Sequence, residues 1–185
     1  MFRDARDYQI CFLSLFLALG VIAKDWTLQP LVIGTAILTC LTVQALASAI
    51  AIRPDATTPE NPLAGWSVLR SALITGLSLS LLLRTDHWYT MAFAATVAIL
   101  SKFTLRIQGK HIYNPANAGI IAALCLGQDA WVSPGQWGDL GWYALLFAGA
   151  GGVVLQRVGR WDTSVVFLGV YGGLLLLRDR WLGWS

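Results

Sequence analysis

The chain has 185 residues, of which 56% are hydrophobic and only 12% charged, with a net charge of +3 and a mean hydropathy of +0.61. A soluble domain of this length carries about twice that charged fraction, so the composition points to one integral membrane domain, residues 1–185, and excludes a soluble domain of any size. The small positive charge is spread along loops and carries no nucleic-acid signal; its use is for topology.

Residues 1–7 are a polar start, and Tyr8 to Ala23 is then apolar up to Lys24-Asp25. A short cationic start, an apolar core and a small residue at Ala23 also suit a cleavable signal peptide, which Asp4 and Asp7 fit poorly. Pro30 to Ile52 is the cleanest span and would rise about 34 Å as a helix. Pro30 suits a helix start, and Arg53-Pro54 ends it. Residues 53–65, with three prolines and no periodicity, read as a loop. Trp66 to Leu83 is the third span. It places Ala72, Gly76 and Ser80 on one small-residue face, and it carries Arg70, which either snorkels to the interface or faces a polar cavity.

Arg84 to His87 is a tight loop, and Trp88 to about Phe103 the fourth span. After the basic segment that follows, the apolar run Ala116–Gly127 is too short for a full span and suits a half-helix or re-entrant segment. Extending it through Ala130–Val132 would make a short span at the cost of placing Asp129 inside. Ser133 to Trp142 is a turn-rich aromatic loop. Leu140 to Leu155 is the next span, with Gly149, Gly151 and Gly152 offering close contacts. Gln156 to Asp162 is a basic turn. Thr163 to Leu177 is the last span, with Gly169 and Gly173 as a GxxxG pair, and the tail Arg178 to Trp181 anchors at an interface. The expected fold is therefore an all-α polytopic membrane protein of six or seven transmembrane segments. With seven spans and a cytoplasmic N-terminus, the inner side holds Arg3, Arg6, Arg53, Lys102, Arg106, Lys110, Arg157 and Arg160, against Lys24, Arg84, Arg178 and Arg180 outside. The positive-inside rule thus favours a cytoplasmic N-terminus and a cytoplasmic 102–114 segment, without deciding six spans against seven.

Cys11, Cys40 and Cys125 all lie in apolar runs with no C-x-x-C pair and no Cys-His metal spacing, so they read as small core residues and no metal is expected. His87 and His111 fall on opposite membrane faces, which argues against a haem held by both. No nucleotide fingerprint, P-loop or nucleophile motif occurs.

The polar stretch that stands out is Ser101 to Gly119, S-K-F-T-L-R-I-Q-G-K-H-I-Y-N-P-A-N-A-G. It holds Lys102, Arg106, Lys110 and His111 and ends in Asn114-Pro115. Asn is a strong N-cap and Pro suits the next position, so a helix begins here with its positive end toward Lys110 and His111. Gly119, one turn in, leaves room for a ring or a neighbouring helix. A short helix at membrane level beside cationic side chains suits an anionic or electron-rich ligand. The competing reading is an ordinary basic cytoplasmic loop followed by an ordinary helix start. Asp129 and the turn after it are the next polar candidates.

Three segments resemble one known family. G-K-H-I-Y-N-P-A-N-A-G resembles the G-K-H-x-x-N-P-x-x-x-G element of the NqrB/RnfD family. These are the membrane flavin subunits of sodium-translocating NADH:quinone oxidoreductase and of Rnf electron-transport complexes. Ser71 to Leu77 resembles that family's A-L-x-T-G-L helix, and the Ser133-Pro134-Gly135-Gln136-Trp137-Gly138 turn is also similar. The resemblance runs from about Leu69 to Gly138. It implies a helical fold related to urea transporters, in the bacterial inner membrane, that binds riboflavin or FMN and passes electrons within a cation-pumping complex. It places Lys110, His111, Asn114 and Asn117 near the flavin, with Lys102, Arg106, Gly119 and Thr75 as further candidates. Two departures matter. The family's S-G-A-T segment, which attaches FMN to threonine, is absent, so a flavin would be held non-covalently. The family also has about ten spans, so this chain resembles a reduced relative and is not a complete dehydrogenase. Expected partners are membrane lipids and other membrane redox subunits or further copies of the chain. The alternatives are a small-solute or flavin transporter of the same fold, and a structural or assembly subunit.

Overall fold

The seven apolar runs are helices in a computed structural model of the chain, which describes residues 4–23, 29–51, 62–108, 110–133, 141–159 and 161–182. They are α1 (Ala5–Ala23), α2 (Pro30–Ala51), α3 (Pro62–Leu82), α4 (Trp88–Thr104), α5 (Pro115–Leu126), α6 (Gly141–Val158) and α7 (Trp161–Leu182). Two of them, α1 over Ala5–Ile22 and α2 over Pro30–Ile50, are long and apolar enough to cross a membrane. The chain divides into two units, Met1–Gly138 and Asp139–Ser185.

Several helix ends differ from the sequence expectation, for local reasons. α1 starts three residues before Tyr8, because the Asp4 carboxylate accepts the Arg6 N–H at 2.9 Å and supplies a cap. α3 starts at Pro62 rather than Trp66: proline, which breaks a helix interior, is tolerated in the first turn. α7 continues through Arg178–Trp181, so the expected tail is part of the helix. The expected loops at 53–61 and 134–140 lie outside the described residues.

In the first unit α2 packs between α3 and α4, α4 packs on α5, and α1 lies on α3. The seams are made of small residues. Ala36, Cys40, Ala72, Ala94, Ala95, Ala98 and Ala123 are fully buried, which lets the helix backbones approach closely. A Cβ at Gly76 would come within 3.0 Å of the Ile37 Cα, so the Ala72–Gly76–Ser80 face is the contact with α2.

The fold is mostly helical but not wholly so, which corrects the all-α expectation. β1 (Leu83–Thr85) pairs antiparallel with β4 (Ala130–Val132), in the register Leu83↔Val132, Arg84↔Trp131 and Thr85↔Ala130. β2 (Arg106–Ile107) pairs antiparallel with β3 (Lys110–His111). The first pair satisfies backbone groups where α3 ends and α5 breaks, a requirement that short strands meet as well as helices do. It also settles the course of the short segment. α5 runs alongside α4 and delivers β4 to the α3–α4 junction, so the segment does not double back as a re-entrant loop. Arg84, expected in an exposed turn, is 5% exposed, and its Nη1 donates to the Ser80 and Leu83 carbonyls at 2.9 and 3.1 Å, closing the C-terminus of α3.

The second unit is a helical hairpin. Its turn is Gly159, at φ +70° with its N–H donating to Leu155 O at 2.8 Å, the left-handed helix end that glycine adopts without strain. The close contacts expected at Gly149, Gly151, Gly169 and Gly173 are not found: a Cβ at any of them meets nothing within 4 Å. α7 leaves Val165, Phe167, Leu168, Leu174 and Leu176 more than half exposed.

Candidate functional site

The Ser101–Gly119 stretch is a hairpin and a helix start rather than an open loop. The Leu105 N–H donates to Ser101 O at the end of α4, and β2 and β3 then pair as Arg106↔His111 and Ile107↔Lys110. Gln108 turns the chain with a positive φ of 49°, as two-residue hairpins require. The Ile112 N–H returns to Leu105 O at 3.2 Å. Asn114 then caps α5: its Oδ1 accepts the Ala116 N–H at 3.0 Å, with Pro115 in the first turn, as its residue types predict.

The sequence candidates do not form one patch. Asn114 lies at the helix start, and Asn117 is exposed one turn along α5. Gly119 is buried against α4, where a Cβ would run into the Ala94 carbonyl and lie 2.9 Å from the Ala98 Cβ; its space is taken by the neighbouring helix, not by a ring. Arg106 is exposed, stacks 5.5 Å over the Phe103 ring and bonds the Lys102 carbonyl. Lys102 turns the other way, into the bundle. Thr75 is 4% exposed on α3 and donates to Ser71 O at 2.9 Å. The backbones of Lys110 and His111 form β3, while their side chains lie outside the described residues. The family-like turn at Ser133–Gly138 is described only at Ser133, whose N–H donates to Leu82 O at 3.0 Å.

Two of these residues, from separate motifs, do meet. Thr75 and Asn114 line one predominantly polar cavity of about 420 Å³. Its other walls are Arg6 and Gln9 of α1, Ser71, Ile74 and Ser78 of α3, and Ile112, Tyr113 and Pro115 at the entry to α5. The N-terminal end of α5, the positive end of its dipole, therefore borders the cavity. The readings from residue type alone missed Arg6, Gln9, Ser71 and Ser78. A signal was present: Ser71, Thr75 and Ser78 recur at helical spacing and place three hydroxyls on one face of α3.

Charged groups flank this cavity. Arg70 pairs with Asp4 at 3.3 Å and with Asp7 at 3.1 Å, so it is held by carboxylates of α1 rather than reaching the interface. Arg6 also pairs with Asp4, at 3.2 Å. The Arg6 N–H, and then the neighbouring guanidiniums, hold the Asp4 carboxyl below its ordinary value against the opposing effect of burial. Lys102 is 6% exposed. Its Nζ donates to Gln44 Oε1 of α2 and to Ser71 O and Oγ of α3, each at 3.3 Å. Gln44 is itself buried and donates to Ser48 Oγ at 3.2 Å. Ser71 thus joins the buried lysine to the cavity wall.

A second polar cluster sits at the other end of α4. The Asp129 carboxylate accepts the Thr90 hydroxyl at 2.8 Å and the His87 N–H at 3.1 Å, and it lies 2.9 Å from His87 Nδ1. The His87 ring stacks on Tyr89 at 4.9 Å. Burial alone would raise the Asp129 carboxyl, but the bonds from Thr90 and His87 outweigh it and hold it below its ordinary value. A cavity of about 510 Å³ adjoins this cluster, walled also by Phe93, Leu126 and Gln128. Among the described residues no group of three His, Cys, Asp or Glu side chains has metal-binding geometry.

No family model, curated protein or solved structure matches this chain. What the fold and the site define is a mostly helical bundle with a polar cavity at the start of a twelve-residue helix.

Proposed function

We propose that this chain is an integral membrane protein that holds a flavin, riboflavin or FMN, without a covalent link, in the cavity at the start of α5. There it passes electrons as part of a membrane redox assembly. One observation carries the reading: Thr75 and Asn114 belong to two separate flavin-subunit-like motifs, and both line the same cavity. That cavity has the size usual for small-molecule sites, with hydroxyl, amide and guanidinium groups for a heteroaromatic ring system and Tyr113 at its edge. The large apolar side chains left exposed on α2 and α7 support a lipid environment for the helices. Six or seven spans, a bacterial inner membrane, and a cytoplasmic start of α1 and of α5 belong to the same proposal. Its partners would be redox subunits or further copies in the bilayer.

The test is the absorption spectrum and mass spectrum of protein purified in mild detergent. Yellow protein with stoichiometric flavin is expected, with occupancy reduced in Thr75→Val and Asn114→Ala. Colourless protein that also takes up no added riboflavin or FMN overturns the proposal.

The short α5 helix, its N-terminus facing a polar cavity, also favours a second reading, passage of a small polar solute. Flux into proteoliposomes above that of empty vesicles would support it.

A further inference from the structure

Lys102 is the least expected residue in the bundle. It is 94% buried (6% exposed) and sits between α2, α3 and α4, and all its hydrogen-bond partners are neutral oxygens of Gln44 and Ser71. No carboxylate among the described residues reaches it. The two nearby acids of α1 are directed elsewhere, Asp4 to Arg6 and Arg70 and Asp7 to Arg70. A buried ammonium without a counter-charge is costly in any protein and more so at membrane depth, and such residues mark functional sites. The neutral partners solvate the ammonium but do not balance it.

The missing negative charge has a place to go. Ser71, whose hydroxyl touches Nζ, is also a wall of the cavity that Arg6 and the start of α5 border. The lysine, the guanidinium and the positive end of a twelve-residue helix all act on one space of about 420 Å³. We infer that this cavity takes a ligand bearing a single negative charge, with Lys102 as its buried counter-ion, acting through Ser71. The inference deepens the proposed function and rests on it only in treating the cavity as a ligand site. A reduced flavin ring that has lost a proton carries that charge. So do a small organic acid and the headgroup phosphate of an anionic lipid.

The experiment uses two probes of one shape that differ in charge, benzoate and benzamide. They are titrated calorimetrically into full-length protein in phosphatidylcholine nanodiscs, after any flavin has been stripped. Benzoate is expected to bind roughly tenfold or more tightly than benzamide, as one poorly screened charge implies. Lys102→Met should abolish that preference and Lys102→Arg should keep it. Equal binding, tighter benzamide binding, no benzoate binding to the wild type, or a preference that survives in Lys102→Met each overturn the inference. Should Lys102→Met fail to fold, the wild-type comparison and Ser71→Ala, which removes the hydroxyl between lysine and cavity and should weaken the preference, decide it. Repeating the titration with phosphatidylglycerol discs separates the sources: lost benzoate binding assigns the site to a lipid headgroup, retained binding to a soluble anion. Flavin content is read separately by absorbance, so flavin-free protein that still prefers benzoate overturns the flavin reading alone.

Discussion

The hydroxyl of Thr90 donates to Oδ1 of Asp129 over 2.8 Å, and that bond fastens the first turn of α4 to the segment leaving α5. His87, at the N-cap of α4, makes no side-chain cap of its own. Asp129 supplies the acceptor from a distant part of the chain and places a negative charge at the positive end of the helix. Asp129→Ala should therefore lower unfolding stability by about 1–2 kcal/mol, the usual worth of a lost cap with its bonds. Thr90→Val should cost about half as much, since the His87 bonds remain. Denaturant unfolding of detergent-solubilised protein reads both, and an unchanged midpoint in Asp129→Ala would refute the tie.

The same carboxylate sets a pH dependence. Its folded-state pKa lies below the ordinary value of 3.8, so its contribution to stability is complete above that value. As the pH falls through the ordinary value and then through the lower folded one, the unfolded state takes the proton first and the contribution is lost. Asp4 behaves alike for its own reasons, so the wild-type curve alone is ambiguous. The gap in unfolding temperature between wild type and Asp129→Asn is the readout. It should be constant at neutral pH and close in acid; a gap that does not vary with pH contradicts the assignment.

These two residues also mark where the sequence was legible and where it was not. The apolar runs and the Asn114-Pro115 start could be read directly, because span length and cap chemistry are local properties. The break after Leu126 was legible too, as a run too short to cross. What finishes that crossing was not. Ala130–Val132 becomes a strand only because Leu83–Thr85, far back in the chain, offers it a partner. Lys102 was read with Arg106 and Lys110 as one basic patch because the three are close in sequence. A residue on the last turn of a helix can point inward, and only its neighbours Gln44 and Ser71 reveal that it does. The cavity was half legible: Thr75 and Asn114 were nominated, whereas Arg6 and Gln9 come from a helix that nothing in the sequence ties to α3.

Gly119 tests the α4–α5 seam. Its missing side chain is what allows α5 to lie on Ala94 and Ala98, and the first obstacle is a backbone carbonyl that no rotamer change can remove. Gly119→Ala should destabilise by about 1–3 kcal/mol, the range for overpacking, despite alanine's better helix propensity. Gly119→Val should be worse and reduce folded yield. Gly169→Ala, in open space on α7, is the control and should be neutral or slightly stabilising. Equal behaviour of Gly119→Ala and Gly169→Ala would show the seam to be loose.

Asn114 separates capping from binding. Asn114→Ala removes the acceptor for the Ala116 N–H and should cost about 1 kcal/mol of stability together with ligand occupancy. Asn114→Asp keeps an equally good cap, so stability should be retained. It also adds a negative charge to a cavity proposed to receive one, so occupancy should still fall. Unfolding and ligand content measured on the same samples distinguish the cases. Asn114→Asp with undiminished binding would mean that the residue only caps.

Lys102→Met should separate stability from binding in the opposite sense. The ammonium is buried among neutral oxygens, and an apolar side chain of similar length removes the cost of keeping a charge out of water. Against this, Gln44 Oε1 and Ser71 Oγ lose a donor. Gln44 keeps its bond to Ser48, and a serine hydroxyl can rotate to another acceptor, so the loss is smaller than the gain. The unfolding temperature of the ligand-free protein should therefore be unchanged or raised in Lys102→Met, by the equivalent of about 1–2 kcal/mol at most. Ser71→Ala, which leaves the lysine buried with one oxygen fewer, should lower it. Were Lys102→Met instead strongly destabilising, the lysine would be a structural tie between α2, α3 and α4 rather than a charge held in readiness for a ligand.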